Sequence, residues 1–231
     1  MKFKKKKYTL VRKAISKDLC FFLYNYFSMK KQVAKTLFDT KTISPFTTYF
    51  GTWYDWYVPN TYSHYADIAA ETLLLKLQPV VEKETGLKLT PQYTYVRLYK
   101  KGDILERHKD RFECEVSITL NLGGDPWPIY LSPDENVGFP DGKKITFKSK
   151  AKGIRADLTP GDMLIYRGCE LEHWREKFKG DECSQVFLHY NIKNKKSILF
   201  DSRPHLGLPD FFCRNKESVT DSIKNTGNKN G

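Results

Sequence analysis

Apolar positions recur at helical spacing early in the chain. Leu19, Phe22, Leu23, Tyr26 and Phe27 follow Ser16, a residue suited to accept a backbone N–H, and together they predict a helix opened by a Ser16 cap. Residues 43–59 break the period. They are aromatic and turn-rich (Phe46, Tyr49, Phe50, Trp53, Tyr54, Trp56, Tyr57), which predicts irregular loops and short strands. A second long helix is expected over 62–84. Its buried stripe would be Ile68, Leu73, Leu77, Val80 and Val81, with a kink at Pro79 and a C-terminal cap at Gly86.

Beyond that point the period changes from helical to alternating. Residues 93–99 read as a strand, and Lys101-Gly102-Asp103 as a turn. A strand over 115–122 runs into Gly123-Gly124, and shorter ones are expected at 128–131, 144–148 and 153–158. Pro160-Gly161-Asp162 makes a tight turn into a strand at 163–166, and 183–192 is the last long strand. About eight short strands after a helical half predict a mainly β protein with N-terminal helices (α+β), its strands closed into a jelly-roll or barrel. The expected organisation is a helical support region over 1–90 packed on the core, a β domain over 91–200, and a C-terminal loop and tail over 201–231. The tail from about Cys213 is Lys, Asn, Ser and Thr with few apolar residues, and is expected to be disordered.

Composition adds limits. The 231 residues, 40% hydrophobic and 14% aromatic, suit one sizeable core. No stretch approaches the roughly 20 apolar residues that cross a bilayer, and the basic N-terminus lacks an apolar secretory core, so a soluble cytoplasmic protein without a membrane partner is expected. Five scattered cysteines without a CxxC pair argue against a disulfide framework or a thiolate zinc site. The net charge of +12 favours polyanionic or acidic partners, but nine of the 39 basic residues are arginine, the better nucleic-acid ligand.

Histidine is scarce, with five in the chain. His64, expected on the surface of the second helix, and His205, in a Pro/Gly-flanked loop, read as incidental. His108 and Asp110 are two positions apart in an extended segment, so their side chains share a face. His173 returns beyond several strands, where a fold closing on itself would bring it to them. Two histidines and one carboxylate without thiolates match the facial site of non-haem Fe(II) oxygenases, which leaves positions for a chelating 2-oxo acid and O2. Zinc hydrolases use similar ligands, so ligand type leaves the metal open.

The context extends the pattern. A strand holding Tyr99 precedes the run Lys101-Gly102-Asp103-Ile104-Leu105-Glu106-Arg107-His108-Lys109-Asp110. The alternating strand to Asn121 follows, then the Pro160-Gly161-Asp162 turn, and finally Leu171-Glu172-His173-Trp174-Arg175. Over about 93–191 the chain resembles the prolyl 4-hydroxylase-like Fe(II)/2-oxoglutarate-dependent dioxygenases. The resemblance implies a double-stranded β-helix (jelly-roll, cupin-like) core with iron in its mouth, held by His108, Asp110 and His173 as metal ligands and catalytic residues. It implies Fe(II), 2-oxoglutarate and O2, with ascorbate a further candidate, and hydroxylation of a C–H bond with release of succinate and CO2.

The family places a Lys or Arg on the strand after the second histidine to hold the distal carboxylate of 2-oxoglutarate. This chain has Asp181, Glu182, Cys183 and Ser184 there. Strand alternation puts Arg175 on the inward face of His173, the favoured clamp, with Arg97 second; the competing reading of Arg175 is a surface arginine paired with Glu172 or Glu176. Tyr99 and Thr119 fall where the family places hydroxyls that touch the cosubstrate, and Ser117, Gln185 and His189 are candidates for the same cavity. The expected substrate is a prolyl residue, or another aliphatic side chain, in a protein or peptide, covered by Trp53, Tyr54, Trp56 and Tyr57 if these are not core. Two alternatives stand beside it. One is a nucleic-acid oxidative demethylase or hydroxylase of the same superfamily, which the charge favours and the lack of paired arginines after His173 disfavours. The other is a non-catalytic jelly-roll binding module.

Overall fold

The alternating segments pair as two antiparallel sheets in a computed structural model that describes residues 2–55, 57–138, 149–194 and 198–214. The strands are β1 (Tyr8–Val11), β2 (Tyr62–Tyr65), β3 (Leu89–Lys100), β4 (Leu105–His108), β5 (Val116–Gly124), β6 (Ile129–Leu131), β7 (Ile154–Ala156), β8 (Met163–Tyr166), β9 (His173–Arg175) and β10 (Glu182–Ile192). The large sheet has the order β1-β8-β5-β10-β3-β2 and the small one β4-β9-β6-β7. From β3 to β6, and again from β7 to β10, the chain passes back and forth between the sheets. This is a double-stranded β-helix, the jelly-roll expected from the strand count.

The alternation of side chains explains both faces of the large sheet. Val96 and Leu98 of β3, Ile118 and Leu120 of β5, and Val186 and Leu188 of β10 point outward into an aliphatic core. The intervening residues Arg97, Tyr99, Ser117, Thr119, Gln185 and His189 are buried or half-buried polar groups on the inner face, where the small sheet closes over them.

Helices cover the aliphatic face. α1 (Lys2–Lys6) leads into β1, and α2 (Lys17–Asp39) opens as expected, with Ser16 Oγ accepting the Leu19 N–H at 3.2 Å. Leu23 and Phe27 are buried against the sheet, whereas Phe22 is exposed. α3 (Ile68–Thr85) buries Leu73, Leu74 and Leu77 and ends at Gly86, whose φ of 69° provides the left-handed cap. Pro79 lies within this helix.

The helix predicted from residue 62 begins later. Residues 62–65 form β2, paired with β3. The helix waits for Asp67, whose Oδ1 accepts the N–H groups of Ala69 at 2.8 Å and Ala70 at 3.1 Å. This carboxylate cap fixes the start more strongly than the apolar stripe, and Ile68, read as part of that stripe, is exposed. His64 is therefore a buried strand residue, not a surface helix residue. The first ninety residues thus supply two strands of the large sheet as well as helices. The described residues of 43–59 are irregular, tied by a bridge between Thr52 and Ser63.

After β10 the chain turns back along the barrel. Arg203 is buried and pairs with Glu71 of α3 at 2.7 Å, while its guanidinium also donates to the Gln92 and Leu208 carbonyls. That anchor carries the chain on to Asp210, at the barrel mouth, and to α4 (Phe211–Arg214). The strand expected at 144–148, Trp56 and the tail beyond 214 lie outside the described residues. No helix among the described residues is long and apolar enough to cross a membrane.

Candidate metal centre

β4 and β9 are neighbours in the small sheet, and their register sets His108 directly opposite His173. The two imidazole centroids are 4.2 Å apart. Just past the end of β4, Asp110 is fixed by its own backbone, its N–H donating to the Gly168 carbonyl at 2.9 Å. Its Oδ1 then stands 3.5 Å from His108 Nε2 and 3.4 Å from His173 Nε2. Three side chains predicted from the sequence thus converge on one point at the barrel mouth.

The hydrogen bonds on the far side of each ring decide which nitrogen is available. His108 Nδ1 lies 2.8 Å from the Glu106 carbonyl oxygen and His173 Nδ1 3.0 Å from that of Leu171. A carbonyl only accepts, so each Nδ1 carries a proton, and each Nε2, turned toward Asp110, is the nitrogen that gives up its own proton to bind a metal. Burial would raise the Asp110 carboxyl, but the two imidazoles outweigh it and hold it well below the usual range. Burial lowers the basicity of His173, and Asp110 more than restores it, so its net shift is upward. One anion facing two ring nitrogens is a ready site for a divalent cation.

A second ring of contacts braces the carboxylate. Ser117 Oγ donates to Asp110 Oδ2 at 2.5 Å and lies 3.1 Å from His189 Nδ1. The serine proton is engaged by Asp110, so His189 Nδ1–H is the donor to Ser117. Burial pushes the His189 imidazole down to about 4, which keeps it neutral. Its ring stacks on Tyr93, centroids 4.5 Å apart. Gly168 gives the carboxylate its room, since a Cβ there would stand 2.2 Å from Asp110 Oδ2.

The site opens into a cavity of about 390 Å³ that reaches from the metal triad to the loop at 52–57. Tyr54 and Tyr57 of that loop line it, and Tyr57 lies beside the His108 ring. Trp53 instead packs against the aliphatic core. Arg97 also lines the cavity, but its guanidinium is engaged, with Nε donating to Asp55 Oδ2 at 2.9 Å.

Arg175 sits deeper, between β9 and the large sheet, and is fully buried. Nη2 donates to Thr119 Oγ1 at 3.2 Å and Nη1 to the Trp127 carbonyl, while Nε is buried without a hydrogen-bond partner among the described residues. Burial lowers its pKa, and the groups that raise it are Cys183, Tyr99 and Tyr166; no carboxylate is among them. It is neither a surface residue nor paired with Glu172 or Glu176. Tyr99 is buried beside it in the barrel, its hydroxyl 3.5 Å from Arg97 Nη1, and Thr119 also bonds to Gln185 at 3.1 Å. An uncompensated buried guanidinium flanked by hydroxyls is suited to an anionic ligand.

Several lining residues were not anticipated. Tyr166 packs its ring 4.7 Å from His173, and Asp55, Arg111 and Cys114 also face the cavity. Arg111 adjoins Asp110 in sequence and pairs with Asp201 at 2.6 Å. Its position next to the first histidine motif was the one available signal. His205 is on a loop away from this cluster, its Nδ1 2.7 Å from the Leu206 carbonyl.

No protein-family model matches the chain, and no curated protein matches it in sequence. Solved structures do. A Pseudomonas putida prolyl-4-hydroxylase is 14% identical, with 83% of this chain and 96% of that one covered, at a TM-score of 0.54. HygX from Streptomyces hygroscopicus, solved with nickel and 2-oxoglutarate bound, is 13% identical over 83% of this chain and 85% of that one, at 0.54. SnoK, a non-haem alpha-ketoglutarate-dependent carbocyclase from nogalamycin biosynthesis, is 10% identical over 90% of each chain, at 0.55. At such identities the likeness is one of fold, and it is the fold of 2-oxoglutarate/Fe(II) oxygenases. A hydroxylase and a carbocyclase among them show that this fold does not choose the reaction.

Proposed function

We propose that this chain is an Fe(II)- and 2-oxoglutarate-dependent dioxygenase that hydroxylates a C–H bond, with a prolyl residue of a protein or peptide as its substrate. The observation that carries the reading is the pairing of two features in one barrel. At the mouth, His108, Asp110 and His173 direct Nε2, Oδ1 and Nε2 to a common point. Deeper in the barrel, Arg175 is a buried cation without a carboxylate partner among the described residues.

These residues fit the groups that such an enzyme holds. Two imidazoles and a carboxylate without thiolate form the donor set of non-haem Fe(II) and leave three positions free. When bound, iron with 2-oxoglutarate and O2 supplies the oxidising power for hydroxylation, with succinate and CO2 as the other products. Arg175 would hold the distal carboxylate of 2-oxoglutarate by donating to it, and the Thr119 and Tyr99 hydroxyls would complete the hydrogen bonds of that carboxylate. Arg97 is bound to Asp55, so its charge is already answered and it shapes the substrate side instead. Tyr54, Tyr57 and Tyr95 line the cavity, and flat aromatic faces suit the ring of a prolyl residue.

The test is to incubate the Fe(II)-loaded protein with 2-oxoglutarate and peptide libraries rich in proline. Succinate formation with a mass gain of one oxygen atom on a peptide is expected. Anaerobic addition of 2-oxoglutarate should also produce a visible charge-transfer band. Absence of both the band and succinate would refute the dioxygenase reading; oxidation of a non-prolyl substrate alone would refute only the substrate.

A further inference from the structure

The two oxygens of Asp110 face different neighbours. Oδ1 serves the His108–His173 pair. Oδ2 takes the Ser117 hydroxyl, and that same hydroxyl lies 3.3 Å from the Cys114 carbonyl oxygen and 3.1 Å from His189 Nδ1. On this second side the Cys114 thiol, one His189 ring nitrogen and an Asp110 carboxylate oxygen all lie within 4.8 Å of one another. Cys114 is 1% exposed and His189 6%, yet all three residues line the cavity, so an ion can reach them from the mouth.

We propose that Asp110, Cys114 and His189 form a second metal site, adjoining the first and selective for a thiophilic cation, Zn²⁺. The donors are a thiolate, an imidazole and a carboxylate, each of them a zinc ligand type. The neighbouring triad has no sulfur, so softness separates the two sites: thiolate favours zinc over the harder iron. Zinc binding replaces the S–H bond with a Zn–S bond and releases that proton to solvent. The ion takes over from the Ser117 hydroxyl that bridges Asp110 Oδ2 and His189, whose ring keeps its one proton on the nitrogen that does not bind the metal. The Tyr93 hydroxyl, 3.2 Å from Cys114 Sγ, then donates to the thiolate and supports it from behind. Because Asp110 is common to both sites, zinc here draws on the carboxylate of the first and makes the enzyme sensitive to zinc through Cys114. Apart from Asp110 the site does not depend on the iron reading.

Co(II) is the probe, titrated into the metal-free protein. The wild type should develop a thiolate-to-Co(II) absorption band in the near ultraviolet, and added Zn²⁺ should abolish it by displacement. Cys114→Ser should remove the band. His189→Gln should weaken Co(II) binding at this step by roughly ten-fold or more, with its fold checked by circular dichroism. His108→Ala should keep the band, which separates this site from the facial triad. A wild type that binds Co(II) without a thiolate band overturns the proposal, as does a band that survives Cys114→Ser. If Cys114→Ser does not fold, unchanged Co(II) affinity in His189→Gln overturns it on its own.

Discussion

Arg175 and Thr119 meet through one 3.2 Å hydrogen bond deep in the barrel, with the guanidinium fully buried and no carboxylate among the groups that stabilise its charge. An arginine kept for stability would be paired, since a lone buried charge is costly. Arg175→Met should therefore leave the metal-free protein as stable as wild type, or more stable by an amount on the order of 1 kcal/mol. The same variant should lose the thermal stabilisation that 2-oxoglutarate gives the metal-loaded wild type. Thermal melts with and without 2-oxoglutarate read both effects, and a large loss of stability in the metal-free variant would make Arg175 a structural residue.

In turnover, Arg175→Ala should raise the KM for 2-oxoglutarate more than it lowers kcat. The lost charge-assisted hydrogen bonds are worth about 1.5 to 3 kcal/mol, or roughly 10- to 150-fold. Steady-state succinate formation measures it. An unchanged KM would shift the role to Arg97.

Gly168 controls Asp110 by having no side chain. A Cβ there would lie 2.2 Å from Asp110 Oδ2, 2.3 Å from Ser117 Oγ and 2.9 Å from the Cys114 carbonyl oxygen. Gly168→Ala should displace the carboxylate and lower divalent-metal affinity by roughly ten-fold or more, while overpacking costs about 1 to 3 kcal/mol of stability. Calorimetric titration with Co(II) beside a thermal melt separates the two. Wild-type metal affinity in this variant would mean that Asp110 does not need its present position.

The sheet was legible because its long strands largely alternate, with Val96 and Leu98 against Arg97 and Tyr99 a clear instance. The triad was legible because a histidine and an aspartate two positions apart mark a shared direction, and His173 lies beyond several strands, where a closing barrel returns it. β2 was hidden because Tyr62 to Tyr65 runs straight into an apolar helical stripe, and the boundary depends on the Asp67 cap alone. β4 and β9 are four and three residues long, too short for a period to show. Cys114, Tyr166 and Gly168 join the site through the crossing of strands between sheets, a relation that no local pattern encodes. Arg175 was found by alternation from His173, but its lack of a partner could be known only in three dimensions.

The ligands themselves should separate by burial. His108 and Asp110 retain side-chain exposures of 16% and 13%, whereas His173 has 2%. His108→Ala should abolish 2-oxoglutarate turnover with a stability change within about 1 kcal/mol, as for a mouth residue. His173→Ala should abolish it too, but at a cost of about 2 kcal/mol or more, because it empties a packed position beside Tyr166. Succinate assays and urea unfolding give both numbers, and succinate formation by His108→Ala at the wild-type rate would disprove the ligand assignment.

Acid should act through Asp162, in the turn that feeds β8. Its carboxylate accepts the Thr159 N–H at 2.9 Å and hydroxyl at 2.7 Å, the Lys13 N–H at 3.0 Å and Arg12 Nη1 at 2.7 Å. Burial would raise its pKa, but these donors outweigh it and hold it at about 2, below the ordinary aspartate value of 3.8. In that window the unfolded chain binds more protons than the folded one, so stability rises with pH. The contribution is complete above about pH 4 and is lost as pH falls toward about 2, an amount of about 2 kcal/mol. Asp162→Asn cannot titrate, so it should be less stable than wild type near neutral pH and lose less on acidification. Urea unfolding of both proteins at about pH 6 and about pH 2.5 measures the difference. Equal losses in the two proteins would show that the turn carboxylate is not held by these four donors, and the junction of β1, α2 and β8 would then have to be stabilised by packing alone.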